Sequence, residues 1–235
     1  MINSEKLILI RNYDLFSQLS DDEYNSLQII HNFVEARKGE YLYFESHHLN
    51  KLFFIKKGMI KIGYINEDGE EIIKEIIHRG EIFGQYTLQA GNLHGEFAIA
   101  HKDDVSLCAF DIRDFEKLLQ EKPMLAIQYS KQVGQKLRSA ENRLLNLLNK
   151  NVKTRLAGFF CQLALQQNVF NHNDAGNVIE NFLTHDEIAR LTGTSRQTVT
   201  TMIGVMESEG LIRVNRQQIT IPDLKRLQKE ANVVE

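Results

Sequence analysis

The sequence has few cysteines, and their scarcity excludes several kinds of site. Its 235 residues include only Cys108 and Cys161, which lie far apart in the chain. Two scattered thiols supply neither a disulfide framework nor a cysteine-based zinc site, and they fall short of the roughly four ligands of an iron–sulfur cluster. The count fits a reducing compartment, and we expect no metal site built on cysteine.

Long hydrophobic runs are absent as well. No apolar stretch approaches the roughly 20 residues that a membrane-spanning helix needs, and residues 1–15 carry charges in place of a signal-peptide pattern. We therefore expect a cytoplasmic protein that has no membrane partner. Hydrophobic residues make up 43% and charged residues 25% of the chain, a balance typical of a globular protein.

The net charge of −3 hides an uneven distribution along the chain. Residues 1–115 carry 12 lysines and arginines against 19 acidic residues, a net charge of −7. Residues 116–150 carry 7 against 3, a net charge of +4, and residues 151–235 carry 9 of each. These differences indicate three segments of different character.

The first segment is typical of short antiparallel strands. After a predicted helix near residues 20–30, the runs LFFIKK, MIKIGYI and EIIKEIIH are rich in β-branched and aromatic residues. Asn66 to Gly69 predict a hairpin turn between the second and third runs, since Gly69 accepts a positive φ. Further strands are predicted over residues 97–100 and 105–110, so this half is predicted to be a β-sandwich or β-roll.

The middle segment has helical periodicity over residues 115–149. Its apolar seam places Ser130, Leu137 and Leu144 at one heptad position, with Ala126, Val133, Ala140 and Leu147 at the other. An amphipathic helix packed on its own domain would show the same spacing. The narrow stripe on a long helix favours a homodimer.

The last segment predicts two short helices followed by a small β-hairpin. Thr184 and Glu187 form a capping box for the first helix, and Gly193 ends it. Thr194 and Gln197 repeat the arrangement for a second helix that runs to about Ser208. Residues 211–214 and 218–221 then alternate as two strands, so the segment is predicted to be a winged helix–turn–helix.

The exposed side of the second helix carries residue types that read DNA. Arginine can donate two hydrogen bonds to guanine, glutamine can pair with adenine, and threonine can bond a base or touch a thymine methyl. The predicted DNA-binding residues are Ser195, Arg196, Gln197, Thr198, Thr200 and Thr201. An exposed polar helix face and a protein-binding module are the alternative interpretations, since this segment has no net charge.

The order of these segments, together with LTHDEIARLTGTSRQTVTTMIGVMESEGLI, resembles the Crp/Fnr superfamily. KKGMIKI, NEDGEE and HRGEIFG resemble its β-roll. The resemblance implies an α+β protein with an antiparallel, cyclic-nucleotide-binding-like β-roll (1–115), a dimerisation helix (116–150) and a winged helix–turn–helix (151–235). It also implies a transcription regulator, not an enzyme, that binds double-stranded DNA as a homodimer on a palindromic operator, and that contacts RNA polymerase if it activates.

The resemblance carries particular residues over. Arg196 matches the arginine that reads guanine, Ser195 and Thr198 match phosphate-contacting positions, and Gln197 stands where glutamate is frequent. Thr201 replaces a second base-reading arginine, so the operator should differ from that of the cyclic-AMP receptor protein. The dimer helix would use Val133, Leu137, Ala140, Leu144 and Leu147.

The sensing cassette departs from that of cyclic-nucleotide binders. Gly84 and Gln85 replace Gly-Glu, Gly95 and Glu96 replace the Arg-Ser pair that holds the phosphate, and Ala140 and Glu141 replace hydroxyl residues near adenine. An anion there would lose its counter-charge. These six residues are the candidate effector pocket, and we expect no cofactor and no binding of cyclic AMP.

Two alternatives remain for the β-domain. Haem or another small ligand could be the signal, because the β-domain contains His47, His48, His78, His94 and His101. A metal-dependent enzyme on a double-stranded β-helix is the other, but no His-x-His pair is present and His47 and His48 would point to opposite faces of a strand. We expect neither catalytic nor metal-binding residues.

Overall fold

The computed structural model describes residues 14–16, 20, 22, 31–44, 50–88, 95–167 and 177–232. Most of the helix predicted near residues 20–30 lies outside this part of the chain, as do His47, His48 and His94. Contacts divide the chain into two compact units, residues 1–138 and 139–235. Each unit is described by itself.

The N-terminal unit is built on an antiparallel β-sheet, as predicted. After a short 3-10 helix (Asp14–Phe16) come β1 (His31–Ala36), β2 (Tyr41–Phe44), β3 (Lys51–Ile65), β4 (Glu71–Ile77), β5 (Ile82–Gly84) and β6 (Glu96–Asp111). The order is β1-β6-β3-β4, with β2 also on β6 and β5 also on β3. The predicted hairpin is confirmed, since Gly69 has a φ of +78° between β3 and β4.

Two strands are longer than the sequence pattern indicates. β3 continues through the glycine-containing stretch that separates LFFIKK from MIKIGYI, and β6 joins the two strands predicted over residues 97–100 and 105–110. The register between them shifts on both sides of Lys57, and Lys102 has a φ of +66°. These β-bulges bend each strand without ending it, so one long strand serves where two were predicted.

The roll has two apolar cores. Phe53, Ile55, Ile60, Phe83 and Leu107 belong to the first, in which the Phe53 and Phe83 rings stack with centroids 4.8 Å apart. The other contains Phe54, Phe110 and Phe115, with Leu125 and Tyr129 from the long helix that follows. This second core attaches the start of that helix to the sheet.

The helical region begins with α1 (Ile112–Glu121) and α2 (Pro123–Asn149). The sequence predicted one helix from residue 115, but Lys122 lies between two. Proline favours the first position of a helix, where no backbone N–H is needed, so Pro123 begins α2. Asp111 caps α1 by accepting a hydrogen bond from the Arg113 N–H.

The C-terminal unit contains α3 (Val152–Gln166), β7 (Asn177–Glu180), α4 (His185–Thr192), α5 (Arg196–Ser208), β8 (Arg213–Val214), β9 (Gln218–Ile221) and α6 (Leu224–Glu230). The second wing strand has the predicted bounds and the first is shorter than predicted, while β7 was not predicted. It pairs with β9, giving a three-stranded sheet in the order β7-β9-β8. Four residues after a polar loop carry too little alternation to identify a strand.

The core of this unit draws side chains from α3, α5 and α6. Its fully buried side chains include Leu156, Phe160, Val199, Met206, Ile212 and Leu227. The chain thus combines helices with antiparallel sheets, which confirms the α+β class. Among the described residues, no helix has the length and apolar character needed to cross a membrane.

Candidate functional site

The helix–turn–helix begins with the predicted capping box. The Thr184 hydroxyl accepts a hydrogen bond from the Glu187 N–H at 3.2 Å, and the Glu187 carboxylate accepts one from the Thr184 N–H at 2.8 Å. Both bonds satisfy N–H groups that a helix start leaves open. The sequence prediction for α4 is therefore confirmed at atomic level.

The turn between α4 and α5 has left-handed backbone at Gly193, whose φ is +66°. The cap of α5 is Ser195, whose hydroxyl accepts from the Thr198 N–H at 3.1 Å. The predicted cap, Thr194, is wrong by one residue. A serine and a threonine stand side by side, and only the turn geometry decides which of them is followed by helical backbone.

A Gly193→Ala variant should be less stable than the wild type by about 1 to 2 kcal/mol. A β-carbon at residue 193 would strain the left-handed backbone and lie 2.5 Å from Leu147 Cδ2. The matched control is Gly204→Ala, because Gly204 is helical and has open space around it. That control should gain roughly 0.5 to 1 kcal/mol. Urea unfolding measures both, and changes of the same sign would contradict the role given to the left-handed backbone at Gly193.

The structure brings the predicted DNA-binding residues together on the first two turns of α5. Its opposite side is buried through Val199, Ile203 and Met206. Thr198 is half-buried, whereas the others are exposed: Ser195, Arg196, Gln197, Thr200 and Thr201. Gly204 continues the exposed face one turn further, and a β-carbon added to it would have nothing within 4 Å. The missing side chain leaves room for a close approach to this face.

Of the arginines around this face, one is already paired with an acidic residue and others are exposed. Arg190 is bonded to Asp186, with 2.8 Å between Nε and Oδ2. Arg213 and Arg216 are exposed in the wing. Arg196 and these two wing arginines therefore give a neutral domain a local positive surface, which suits a phosphate backbone.

Arg155 is a positioning residue that the sequence did not reveal. From α3, its guanidinium donates to the carbonyl oxygens of Lys150 at 2.8 Å, Thr192 at 3.0 Å and Gly193 at 3.1 Å. It therefore ties the end of α4 and the turn to the residue that follows α2. An arginine in an apolar helix gives no sequence signal for partners 37 and 38 residues away.

The long helix α2 leaves a stripe of large apolar side chains exposed. Leu137 is 62%, Leu144 58% and Leu148 71% exposed. The predicted seam is thus divided: Ala126 and Val133 pack against the core of the N-terminal unit, while Leu137, Ala140, Leu144 and Leu147 are exposed, the last of them beside Gly193. Ile127 and Leu148 are also exposed and extend the stripe at heptad spacing.

In the β-roll, the candidate effector residue Glu96 is buried and already bonded. Its carboxylate accepts a hydrogen bond from the Tyr43 hydroxyl at 2.7 Å and pairs with the Lys74 ammonium at 2.7 Å. Burial, followed by the charge of Glu96, raises the pKa of Tyr43 above its ordinary value. Glu96, the residue next to Gly95, therefore places a carboxylate that is already bonded within the β-roll.

The remaining effector candidates fall in different places. Gly84 ends β5 beside β3 and Gln85 follows it, and a β-carbon on Gly84 would lie 2.5 Å from the Lys51 carbonyl oxygen. Gly95 precedes β6. Ala140 and Glu141 belong to the C-terminal unit, and both are exposed. Packing against the backbone accounts for Gly84 without a ligand.

A charged contact that the sequence did not predict lies between the roll and the first half of α2. Lys136 pairs with Glu75 at 2.9 Å, and its ammonium lies 4.8 Å from the centre of the Tyr86 ring. Burial raises the pKa of the nearby Glu81 carboxyl, whereas the His78 N–H and then Lys136 act against that rise. Part of the positive charge of residues 116–150 is therefore paired with an acidic side chain of the N-terminal unit.

Both cysteines are buried, and neither takes part in a disulfide. Burial raises the pKa of the Cys161 thiol to about 11, which lowers its thiolate fraction near neutral pH. Within the described ranges, no group of three or more histidine, cysteine or acidic side chains is arranged to hold a metal ion.

Both halves of the chain match models of known protein families. Residues 33–122 match the family model of the cyclic nucleotide-binding domain, and residues 154–230 match that of the Crp-like helix–turn–helix domain. The two matched segments include the β-roll strands and the pair α4 and α5.

Similar proteins match this chain over most of their length. The global nitrogen regulator of a Nostoc species is 26% identical over 77% of this chain and 80% of its own. The cAMP-activated global transcriptional regulator CRP of Pasteurella multocida is 26% identical over 72% and 80%, respectively. Among solved structures, a CooA mutant from Carboxydothermus hydrogenoformans has a TM-score of 0.73 and 25% identity, covering 91% of this chain and 98% of that one.

Proposed function

Because the chain belongs to the Crp/Fnr superfamily of transcription regulators, we propose that it binds a palindromic operator as a homodimer through α5. The observation that carries this proposal is the cluster of Arg196, Gln197, Thr200 and Thr201 on the exposed face of a capped helix whose other face is buried. A helix of this kind fits the major groove, and its N-terminus favours a phosphate.

We assign different tasks to the residues of that face. Arg196 reads guanine and Gln197 reads a second base, since their long side chains are exposed. Ser195 and Thr198 are bonded to each other at 2.8 Å, so their positions at the helix start suit a phosphate better than a base edge. The exposed wing residues Arg213 and Arg216 add backbone contacts.

The dimer is proposed to form along the exposed stripe of α2. Leu137, Leu144 and Leu148 are each more than half exposed on this helix, which is costly in water, and a second copy of the helix would bury them. Gly134 lies between Ile127 and Leu137 with nothing within 4 Å of its β-carbon position, which would let two helices approach closely. The proposed division into sensor (1–115), dimerisation helix (116–150) and DNA-binding domain (151–235) follows from these roles.

A binding titration at several salt concentrations tests the DNA-binding proposal. Affinity for duplex DNA should fall linearly in a plot of log K against log salt concentration, since bound phosphates release counterions. Duplexes enriched from a random library by the full-length protein provide the operator for this measurement. Association that does not depend on salt, or no enrichment at all, would contradict the proposal and point to a protein partner.

We also propose that the sensor domain has lost cyclic-nucleotide binding and that the protein is a regulator without enzymatic activity. The Lys74 ammonium is already paired with the Glu96 carboxylate. Calorimetric titration with cyclic AMP and cyclic GMP should therefore give no saturable heat. Micromolar affinity for either nucleotide would overturn this part of the proposal.

A haem-sensing role and an interaction with RNA polymerase have direct tests. A visible absorption spectrum of the purified protein reports haem, and we expect no Soret band. Transcription in vitro from a promoter that carries the operator reports activation. Activation that depends on the protein would identify RNA polymerase as the partner.

A further inference from the structure

The hydroxyl of Thr200 is already engaged by the protein. It donates a hydrogen bond to the Arg196 carbonyl oxygen at 3.0 Å, one turn earlier in α5. Its oxygen also lies 2.9 Å from His185 Nδ1, at the start of α4. A threonine hydroxyl has a single hydrogen, and the carbonyl takes it, so the Nδ1 atom of His185 must be the donor in the second bond.

These two bonds limit what Thr200 can offer to DNA. Its donor is used inside the helix and one acceptor position is filled by His185, while the residue itself is exposed on the face that carries Arg196 and Gln197. The methyl group is the part of the side chain that makes no hydrogen bond. In the major groove, the apolar feature that marks a base is the C5-methyl of thymine.

We propose that Thr200 is a specificity-determining residue that selects thymine through methyl–methyl contact and not through its hydroxyl. This inference rests on the proposed function of α5. Thr201 differs from Thr200, because within the described part of the chain it makes only the bond to a carbonyl, that of Gln197, at 3.1 Å. Its oxygen keeps more acceptor capacity, so the two neighbouring threonines are expected to act differently.

The test uses an operator enriched from a random duplex library by the full-length protein. Each thymine of the half-site is replaced, one at a time, by deoxyuridine, which keeps every hydrogen-bonding group and lacks only the methyl. One replacement should weaken wild-type binding by about fourfold per half-site and about 15-fold in a symmetric duplex, from the value of one buried methyl group. Deoxyuridine outside the half-sites is the DNA control and should have no effect.

Two protein variants separate the methyl from the hydroxyl. Thr200→Val keeps the methyl and should bind the thymine operator within about twofold of the wild type, since only hydroxyl bonds inside the protein are lost. Thr200→Ser keeps the hydroxyl but lacks the methyl. It should bind the thymine operator as weakly as the wild type binds the deoxyuridine duplex, and the deoxyuridine replacement should not weaken its binding further. Thr201→Val is the matched control and should leave the deoxyuridine effect in place.

The outcomes distinguish this inference from the proposed function. If no duplex is enriched, the DNA-binding proposal fails. If a duplex is enriched but every deoxyuridine is neutral, or if Thr200→Ser binds normally while Thr200→Val does not, the methyl assignment is wrong although α5 still reads DNA. Circular dichroism and thermal unfolding of each variant establish that α5 remains folded.

Discussion

An Arg196→Ala variant should lose its preference for the operator over unrelated DNA. A bidentate arginine–guanine contact contributes roughly 1 to 3 kcal/mol of discrimination, and a dimer on a palindrome makes two of them. The expected loss is therefore about 2 to 6 kcal/mol, or at least about 30-fold in the ratio of specific to non-specific affinity. Fluorescence anisotropy with operator and scrambled duplexes measures this ratio.

The control for Arg196→Ala removes the same charge elsewhere. Arg226→Ala alters an exposed arginine on α6, outside the recognition helix, and should leave the ratio of specific to non-specific affinity unchanged. Both variants should remain dimers. If Arg196→Ala retained sequence preference, the assignment of this residue would be wrong, and Gln197 would be the next to test.

A Leu144→Glu variant should no longer form a stable dimer. It should therefore lose most of its affinity for a palindromic operator. Full burial of a leucine contributes roughly 1.5 to 3 kcal/mol, and each dimer loses two leucines and gains two carboxylates in an apolar seam. We expect the dimer dissociation constant to rise by about 100-fold or more. Sedimentation velocity over a range of protein concentrations measures the change.

The matched control is Leu165→Glu on α3. Leu165 is 51% exposed, close to the 58% of Leu144, but it lies outside the stripe on α2. This variant should remain a dimer with unchanged operator affinity. A dimer that survives Leu144→Glu would show that another surface holds the two copies together, and equal dissociation by both variants would indicate general destabilisation.

The helix–turn–helix could be predicted closely because its signals are local. Thr184 and Glu187 cap a helix three residues apart, and Gly193 takes a backbone conformation that other residues rarely adopt. Such features depend on a few neighbouring residues and leave a direct trace in the sequence. The one-residue error at the cap of α5 arose where Thr194 and Ser195 carry equivalent signals.

The outward face of α2 could be predicted only in part. Heptad spacing identified Leu137 and Leu144, but it also placed Val133 and Leu147 in the same seam. The structure turns Val133 toward the core of the N-terminal unit, whereas Leu147 lies beside Gly193 and is still 41% exposed. A heptad pattern marks apolar positions, but which neighbour covers each of them depends on residues far away in the sequence.

The sequence by itself determined the class of the protein, the order of its segments and the polar face of α5, because periodicity, caps and turns are local properties. Only the tertiary structure showed that Glu96 pairs with Lys74 and accepts a hydrogen bond from Tyr43, that Arg155 binds the turn of the helix pair, and that His185 engages the hydroxyl of Thr200. Each of these contacts joins residues that are distant in the chain. Their partners depend on how strands and helices pack, which spacing alone does not specify.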